Sequence, residues 1–359
     1  MEKQDILSMY PEELAGFMES LSEKKFRAGQ IYEWLHKRHA GSIDQMTNLS
    51  KNLREKLKES AFIEYPKPVE VRSSRIDDTK KYLFGLADGN VIESVLMKYS
   101  YGLSVCISSQ EGCRLGCRVC ASPLGGRIRG LTASEMLGQV LMISRLEGQR
   151  ISHVVIMGSG EPLDNYDNLV RFLKVMGDPE GERLSLRDIT VSTCGIVPNI
   201  SRLADEGLPV TLALSLHASG QKERETLLPV ARKYEIHDVI YAMKYYFEKT
   251  GRRITYEYSC VRGVNTSRSD AEKLAELLSG QSCHVNLIPV NPVMERSFGQ
   301  PDRREVEAFR DQLEKCSIHV TIRREMGRDI SASCGQLRRS YLERDRDLLP
   351  DGCGAEESE

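Results

Sequence analysis

The apolar positions of this chain follow two periods that alternate along most of its length. Short apolar runs such as HVVIM (153–157) and VTLALSL (210–216) are typical of strands buried on both faces of a parallel sheet. Such strands are predicted to begin near Val105, Val154, Ile189, Val210, Ile254 and Val285. Between them, helical periodicity predicts helices near 132–147, 165–176, 199–206, 221–249 and 269–279, with another near 303–316.

This alternation of strand and helix predicts an α/β fold, in which helices wrap a parallel sheet. The six predicted units are fewer than the eight of a closed barrel, so we expect an open, partial (βα)6 barrel. In sheets of this kind, ligands bind at the carboxyl ends of the strands. Polar residues at those strand ends are therefore the first candidates for a functional site.

The chain before the barrel has a different pattern. Residues 11 to about 60 have helical periodicity, and Pro66 and Pro68 mark a boundary after them. Strand-like segments at 81–87 and 91–99 flank Asp88-Gly89, a strong signal for a two-residue hairpin turn. We therefore expect a helical N-terminal domain at 1–65, a linking β-hairpin at 66–100, a partial barrel with its C-terminal loop at 101–337 and a tail at 338–359.

Composition narrows the class of protein. The chain has 359 residues, of which 40% are hydrophobic and 28% charged, as is ordinary for a soluble globular protein. It has no apolar run long enough to span a membrane and no secretory signal, so we expect a cytoplasmic protein without membrane contact. The net charge of -2 gives no signal for nucleic acid over the whole chain.

A local positive excess does occur at 22–60, where nine Lys or Arg stand against five Asp or Glu. These cations could form a surface that faces phosphate groups. They could equally be the solvated face of ordinary helices. The pattern alone leaves both readings open.

The ten cysteines change the picture most, because three of them are closely spaced. Cys113, Cys117 and Cys120 form a C-x3-C-x2-C array, and Cys106 lies just upstream. Three thiolates can hold three corners of an iron–sulfur cubane and leave one iron open to a ligand. A zinc knuckle that lacks its fourth ligand, or reduced cysteines with no shared role, are the alternatives.

Small polar residues end several of the predicted strands, on the same edge as the cysteine loop. They occur in the runs GSGEPL (158–163), VSTCG (191–195), SLHA (215–218) and IPVNP (288–292). Glycines let backbone approach a ligand closely, and a carboxylate such as Glu161 accepts hydrogen bonds from an amine or from ribose hydroxyls. One such run would be weak evidence, but four beside a three-cysteine loop predict a binding site.

Two further residues have an unusual context. Glu93 shares one face of its strand with Val91, Val95 and Met97. If it is buried, desolvation would suit it to general acid–base work, although it could also be an edge charge. Cys334 follows the predicted strand 319–323 in a loop near arginines that favour a thiolate, although it could also be a passive loop cysteine.

Taken together, these runs resemble a known family. The stretches CISSQ-x-GC-x3-C-x2-CAS, MGSGEPLDN, STCGIVP, LSLHA, NLIPVNP and DISASCGQL are similar to those of the RlmN/Cfr family of RNA adenine methyltransferases, within the radical S-adenosylmethionine (SAM) superfamily. The resemblance runs from the N-terminal helices through Gln336-Leu337. Cys194 stands where the family often has serine, and Val290 where many members have tryptophan.

The resemblance implies a role for each matching residue. Cys113, Cys117 and Cys120 would hold a 4Fe–4S cluster whose open iron binds SAM. The general base would be Glu93, the methyl-carrying cysteine Cys334, and its thiol partner Cys106. The residues that fall at the family's SAM-binding positions are Gly160, Glu161, Ser192, Ser215, Leu216, His217 and Asn291.

The implied reaction places a methyl group on C2 of adenosine in 23S rRNA and in tRNA. It uses two SAM molecules per turnover, a methylated Cys334 and a 5′-deoxyadenosyl radical, and it ends with a disulfide between Cys106 and Cys334. The implied partners are RNA and a low-potential electron donor such as flavodoxin or ferredoxin. The N-terminal helices and Arg323, Arg324 and Arg328 are the candidates for phosphate contacts.

Two alternative functions remain at this point. A C8-directed rRNA adenine methyltransferase of the antibiotic-resistance type would share nearly all of these residues. Pro162 and the CAS-x-LGG context look more like the C2 branch, but neither fixes the position of methylation. The alternative from another class is a non-catalytic, zinc-bound RNA-binding protein.

Overall fold

A computed structural model describes residues 3–63, 65–291 and 298–330 of the chain. Its strands are β1 Gln4–Asp5, β2 Ala61–Phe62, β3 Lys67–Ser73, β4 Lys80–Gly85, β5 Val91–Tyr99, β6 Gly102–Cys106, β7 Gln110–Gly112, β8 Arg127–Gly130, β9 His153–Ile156, β10 Ile189–Thr193, β11 Thr211–Ser215, β12 Ile254–Cys260, β13 Cys283–Pro289 and β14 Val320–Ile322. Its α-helices are α1 Pro11–Ser20, α2 Phe26–His36, α3 Lys51–Ser60, α4 Ala133–Glu147, α5 Tyr166–Gly177, α6 Val197–Asp205, α7 Gln221–Leu227, α8 Ile236–Thr250, α9 Arg268–Leu277 and α10 Arg303–Lys315.

One ten-stranded sheet organises the described residues, in the order β14-β13-β12-β11-β10-β9-β6-β5-β4-β3. Within this sheet, β6 and the strands β9 to β14 are parallel. Their apolar side chains are buried, as in HVVI of β9 and TLALS of β11. The two ends of the sheet do not pair with each other. The predicted α/β fold with an open, partial barrel is therefore confirmed, with β14 as a further parallel strand.

The predicted hairpin belongs to this same sheet. Strand β5 pairs antiparallel with β6, placing Val95 opposite Cys106, and β4 and β3 continue the sheet beyond it. An unpaired β6 would expose a row of backbone N–H and C=O groups. The segment at 66–100, expected as a link, therefore extends the barrel and supplies one wall of it.

One predicted helix is wrong in its extent. The sequence predicts a single helix over 221–249, but the structure has two helices, α7 and α8, separated by a 3-10 turn at Pro229–Arg232. Proline lacks the N–H that a continuous helix requires, which explains the break. The Gln221 side chain secures the turn by donating to the Ala231 carbonyl (2.8 Å) and accepting from the Ile236 N–H (2.8 Å).

The N-terminal helices α1 to α3 pack against the helices of the barrel. Their apolar residues Leu14, Leu35 and Leu53 are buried in the same hydrophobic core as the barrel strands. At the edge of this contact, Arg171 of α5 donates to the Glu13 carboxylate (2.6 and 2.9 Å) and to the Ser8 carbonyl (3.1 Å). No helix in the described ranges is both long and apolar enough to cross a membrane.

After β14, the segment Arg323–Ile330 crosses the carboxyl ends of the strands to the opposite edge of the sheet. The Asp329 carboxylate accepts hydrogen bonds there from the Ser74 hydroxyl and the Arg75 N–H, both at 2.7 Å. The Asp77 carboxylate accepts another from the Gly327 N–H at 2.9 Å. We call Arg323–Ile330 the strap, because these bonds hold it across the opening of the barrel.

We expect Asp329→Ala to speed hydrogen exchange of the Arg75 amide, because that N–H loses its acceptor. Asp311→Ala is the matched control, since Asp311 pairs with Arg310 on an exposed helix face. The Arg75 N–H, followed by the Ser74 hydroxyl, lowers the pKa of Asp329. Wild-type protection at Arg75 should thus persist at neutral pH and be lost only below the ordinary aspartate range. Unchanged exchange in the variant would contradict this tether.

Candidate active site

A cavity of about 590 Å³ lies at the carboxyl ends of the parallel strands, beneath the strap. The predicted site residues that line it are Cys106, Cys113, Cys117, Cys120, Gly160, Glu161, Ser192, Ser215, His217 and Asn291. Leu216 lies just outside the lining, fully buried, with its N–H donating to the Glu257 carbonyl at 3.0 Å. Cys334 lies outside the described residues. Residues far apart in the sequence are thus brought to one cavity.

The cysteine loop is shaped by the small hairpin of β7 and β8. Gly112 has a φ of 71°, and a Cβ there would lie 1.9 Å from the Gly126 carbonyl oxygen. That same carbonyl accepts a hydrogen bond from the Cys113 N–H at 3.0 Å. Further along, the Ser122 N–H donates to the Cys120 sulfur at 3.4 Å. Backbone packing, rather than side-chain bonds alone, therefore sets the position of the three cysteines.

The three cysteines of the loop line one cavity. Cys113 and Cys117 are buried, and Cys120 is half-buried. Three thiolates that reach one cavity can hold three corners of a cubane cluster and leave one iron open to a ligand.

Glu161 is a buried carboxylate at the cavity wall. It is 2% exposed, and its oxygens accept hydrogen bonds from the N–H groups of Cys194 (2.8 Å) and Leu163 (3.1 Å). Burial raises the pKa of Glu161 to about 7, although these hydrogen bonds oppose the shift. No ion pair to Glu161 occurs within the described ranges. A ligand with an ammonium group, such as the methionyl end of SAM, would supply the missing positive charge.

The turn before Glu161 brings backbone close to this wall. Gly160 has a φ of 104°, and a Cβ there would meet the Gln110 backbone nitrogen at 2.7 Å. The Gln110 side chain in turn accepts a hydrogen bond from the Glu161 N–H at 2.9 Å. Glycine at position 160 is thus required both by conformation and by space.

His217 faces the cavity as a neutral ring. The Ser259 N–H donates to its Nδ1 at 3.0 Å, which places the ring proton on Nε2. Burial, followed by the charge of Arg224, lowers the pKa of His217 to about 3. The side chain of Asn265 fixes this corner by donating to the carbonyls of His217 (2.8 Å) and Ser259 (2.7 Å). His217 can therefore offer an N–H donor, but not a charge, to a ligand.

Glu93 is buried, as the strand pattern indicated, but it has a cation beside it. Its carboxylate lies 3.3 Å from the ammonium of Lys81, which is fully buried on the neighbouring strand β4. Glu93 does not itself line the cavity, whereas Val95 and Met97 on the same face of β5 do. The ion pair offsets part of the cost of burying each charge and fixes the carboxylate next to the cavity.

Several residues of the site were not predicted from the sequence. Glu257 of β12 lines the cavity, is 5% exposed, and has a raised pKa because it is buried. A carboxylate within the apolar run ITYEYSC gives the same signal that singled out Glu93, so sequence reasoning could have found it. Lys81 and Arg224 gave no such signal, because cations in KKYLFG and QKERETL look like ordinary surface residues.

The N-terminal cations are only partly available for phosphate. Four of them form ion pairs: Lys25 with Glu19, Arg38 with Glu33, Lys56 with Glu23 and Lys58 with Asp44. A second cleft, of about 830 Å³, is lined by Lys37, Arg38, Arg145, Arg150 and Arg183, among others. It lies near the amino ends of β9 and β10, away from the cavity. Ion pairs thus occupy part of the N-terminal cations, and a role of the others in phosphate contacts stays a prediction.

Comparison with known proteins identifies the family. Residues 4–63 match the profile of the ribosomal RNA large subunit methyltransferase N-terminal domain, and residues 107–278 match the radical SAM superfamily. The chain is 55% identical over 339 residues to "Probable dual-specificity RNA methyltransferase RlmN" of Lachnospira eligens, covering 94% of this chain and 97% of that protein. The chain belongs to the RlmN family of radical SAM RNA methyltransferases.

Other relatives agree with this assignment. The protein of the same name from Lachnoclostridium phytofermentans is 54% identical, with 96% of each chain covered. A crystal structure of a radical SAM methyltransferase from Sphaerobacter thermophilus is 40% identical and superposes with a TM-score of 0.89, covering 93% of this chain and 98% of that one. Membership of the superfamily implies a 4Fe–4S cluster and SAM. Three thiols and the buried Glu161 carboxylate lining one cavity are compatible with both groups.

Two glycines allow a matched test of the cysteine loop. We expect Gly112→Ala to abolish cluster incorporation, because its Cβ would collide with the Gly126 carbonyl and displace Cys113. Gly116→Ala is the control: Gly116 has a φ of 70° and also precedes a cysteine, but a Cβ there would lie 3.6 Å from the Pro229 ring, an ordinary contact distance. The control variant should retain more iron. Iron and sulfide content after anaerobic reconstitution measures both, and equal loss would contradict the steric account.

The raised pKa of Glu161 predicts the sign of a stability change. Ionisation of the buried Glu161 carboxylate lowers the free energy of unfolding progressively as pH rises from about 4.5 to about 7, and the full loss is present above pH 7. At pH 8, Glu161→Gln should therefore stabilise the ligand-free protein by up to about 3 kcal/mol, yet weaken SAM binding. At pH 5 the two proteins should differ little. Thermal unfolding at both pH values is the measurement, and a variant less stable at pH 8 would refute the argument.

Proposed function

We propose that this protein methylates C2 of adenosine in 23S rRNA and in tRNA. The methyl group would travel through Cys334, and each turnover would consume two SAM molecules. The observation that carries this proposal is the single cavity that joins the three-cysteine loop, Cys106 and Glu161 under the strap. The strap, which crosses the opening of this cavity, ends at Ile330, four residues before Cys334 in the sequence.

The choice of substrate rests on the relatives. Proteins about half identical over nearly the whole chain bear the name dual-specificity RNA methyltransferase RlmN. The N-terminal profile is that of a ribosomal RNA methyltransferase domain. These names support RNA as the substrate, the C2 position over the C8 alternative, and both classes of RNA. An RNA substrate also supports a cytoplasmic location.

The residues of the chain would divide the work as follows. When bound, the cluster and SAM supply the methyl group and the one-electron chemistry that an unreactive aromatic carbon requires. The Cys334 thiolate would accept a methyl group by displacement and present it to the adenine. Glu93, held by Lys81 beside the cavity, would take the proton from the ring carbon. The Cys106 thiol would then attack the Cys334 sulfur, releasing the product and leaving a disulfide.

The binding roles would follow from the same geometry. Glu161 would pair with the SAM ammonium, and His217 would donate from Nε2. Ser192, Ser215 and Asn291 line the same cavity with polar groups, and Gly160 allows close approach of the backbone. The buried Leu216 would pack behind these residues. Arg323, Arg324 and Arg328 of the strap face the opening, where they would meet RNA phosphates. A low-potential donor such as flavodoxin or ferredoxin would supply electrons.

The test is anaerobic reaction of the reconstituted enzyme with 23S rRNA and tRNA, followed by digestion and mass spectrometry. We expect 2-methyladenosine from the wild type and no methylated adenosine from Cys334→Ala, because the methyl group then has no carrier. Formation of 8-methyladenosine instead would establish the C8 alternative. A colourless protein that takes up no iron on reconstitution would favour the zinc-bound alternative.

Cys106→Ala tests the release step in the same reaction. Methyl addition should still occur, but the product should stay attached to Cys334, so a covalent protein–RNA adduct should accumulate. Cys316→Ala is a suitable control, because Cys316 is an exposed cysteine just after α10 and does not line the cavity. Free methylated RNA released in repeated turnovers by Cys106→Ala would refute the role of Cys106.

A further inference from the structure

Arg224 is the most deeply buried cation outside the roles described so far. It lies on the short helix α7 and is 0% exposed. Its Nη2 donates to the Cys194 carbonyl at 2.8 Å. Its Nε and Nη1 are also buried, and neither has a hydrogen-bond partner within the described residues. A buried guanidinium normally donates hydrogen bonds from all of its nitrogens. Because Nε and Nη1 of Arg224 lack partners among the described residues, its hydrogen-bonding capacity is only partly satisfied.

The charge of Arg224 is also uncompensated. No carboxylate of the described chain forms an ion pair with it, and the nearby groups that favour its charged form are the thiols of Cys194 and Cys117. His217, on another side, is neutral in the geometry described above. Burying a charge without an opposite charge is strongly unfavourable. The fold therefore keeps a costly cation at this place.

The position of Arg224 connects it to the cysteine loop. Its partner Cys194 has a sulfur 3.5 Å from the sulfur of Cys117, one of the three cluster cysteines. The Arg118 N–H donates to the Leu227 carbonyl at 2.9 Å, which fastens the loop to the end of α7. Apolar residues Leu227, Leu228 and Val261 pack with Cys117 and exclude water from this side. A charge placed here acts at low dielectric.

We propose that Arg224 is the buried countercharge of the 4Fe–4S cluster and raises its reduction potential. Three thiolates give the oxidised cluster a net negative charge, and reduction adds one more. In that step one electron passes from a low-potential donor to the cluster, and no bond breaks. A fixed positive charge stabilises the reduced form more than the oxidised form, so the electron is accepted more readily. The inference rests on the cluster that family membership implies, not on the position that is methylated.

The first test compares the reduction potential of reconstituted clusters without SAM. Arg224→Gln removes the charge, whereas Arg224→Lys keeps it. Arg252→Gln is the matched control, since Arg252 is a half-buried cation at the amino ends of the strands, bonded to Thr211 (2.9 Å) and the Arg187 carbonyl (3.2 Å). Iron and sulfide content and the cluster absorbance show first that each protein is loaded.

We expect Arg224→Gln to lower the equilibrium constant for one-electron reduction about tenfold, which corresponds to about 59 mV. Arg224→Lys should fall between this variant and the wild type, and Arg252→Gln should match the wild type. An unchanged potential in a fully loaded Arg224→Gln protein would overturn the proposal. So would a variant that differs only in SAM affinity, because Arg224 would then serve a SAM carboxylate. A wild type that binds no cluster would instead refute the proposed function.

The second test does not require the substituted protein to retain its cluster. Arg224→Met replaces the guanidinium with an uncharged side chain of similar length. In cluster-free protein we expect a higher Tm, because an uncompensated buried charge is removed. In loaded protein we expect the gain to vanish or reverse, because the cluster's countercharge is lost. A residue with only a packing role would lower Tm in both forms, and that result would overturn the proposal.

Discussion

At the carboxyl ends of the barrel strands, a carboxylate (Glu161) and a guanidinium (Arg224) are each buried without an opposite charge among the described residues. This is the constraint on which the rest of the site depends. Both Glu161 and Arg224 bind the backbone of Cys194. The Cys194 N–H donates to the Glu161 carboxylate, and the Cys194 carbonyl accepts from the Arg224 guanidinium. Burying each charge without an opposite charge is costly. If the proposals above hold, Glu161 would be the electrostatic complement of an ammonium group and Arg224 that of an anionic cluster.

The surrounding elements maintain that arrangement. Strand β5, continued by β4, closes one side of the cavity with Val95 and Met97 and keeps Glu93 beside its buried cation Lys81. The strap covers the opening and is fastened to the far edge of the sheet through Asp329 and Asp77. Because β5 and the strap both contribute to its lining, the cavity of the open barrel is bounded at both edges of the parallel strands. Exclusion of water strengthens every charge interaction inside.

The family assignment and the chemistry rest on different observations, and they agree. Relatives about 55% identical over nearly the whole chain establish membership, and the matches to a ribosomal RNA large subunit methyltransferase N-terminal domain and to the radical SAM superfamily agree with it. The buried Glu161 carboxylate, which has no ion pair within the described residues, and the three thiols that line the same cavity are compatible with the SAM and cluster that the family implies. Ser192 and Cys194 both line the cavity, and the sulfur of Cys194 lies 3.5 Å from that of Cys117.

The sequence by itself determined the order of strands and helices, the open barrel and most of the cavity lining, because apolar period and the strand-end rule depend on local pattern. The sequence prediction continued one helix through Pro229, although proline there ends the helix and a 3-10 turn follows. It could not reveal that Lys81 pairs with Glu93 or that Arg224 is fully buried. Whether a cation is solvated or buried depends on what packs over it, and those contacts join residues far apart in the chain. Only the tertiary structure could decide them.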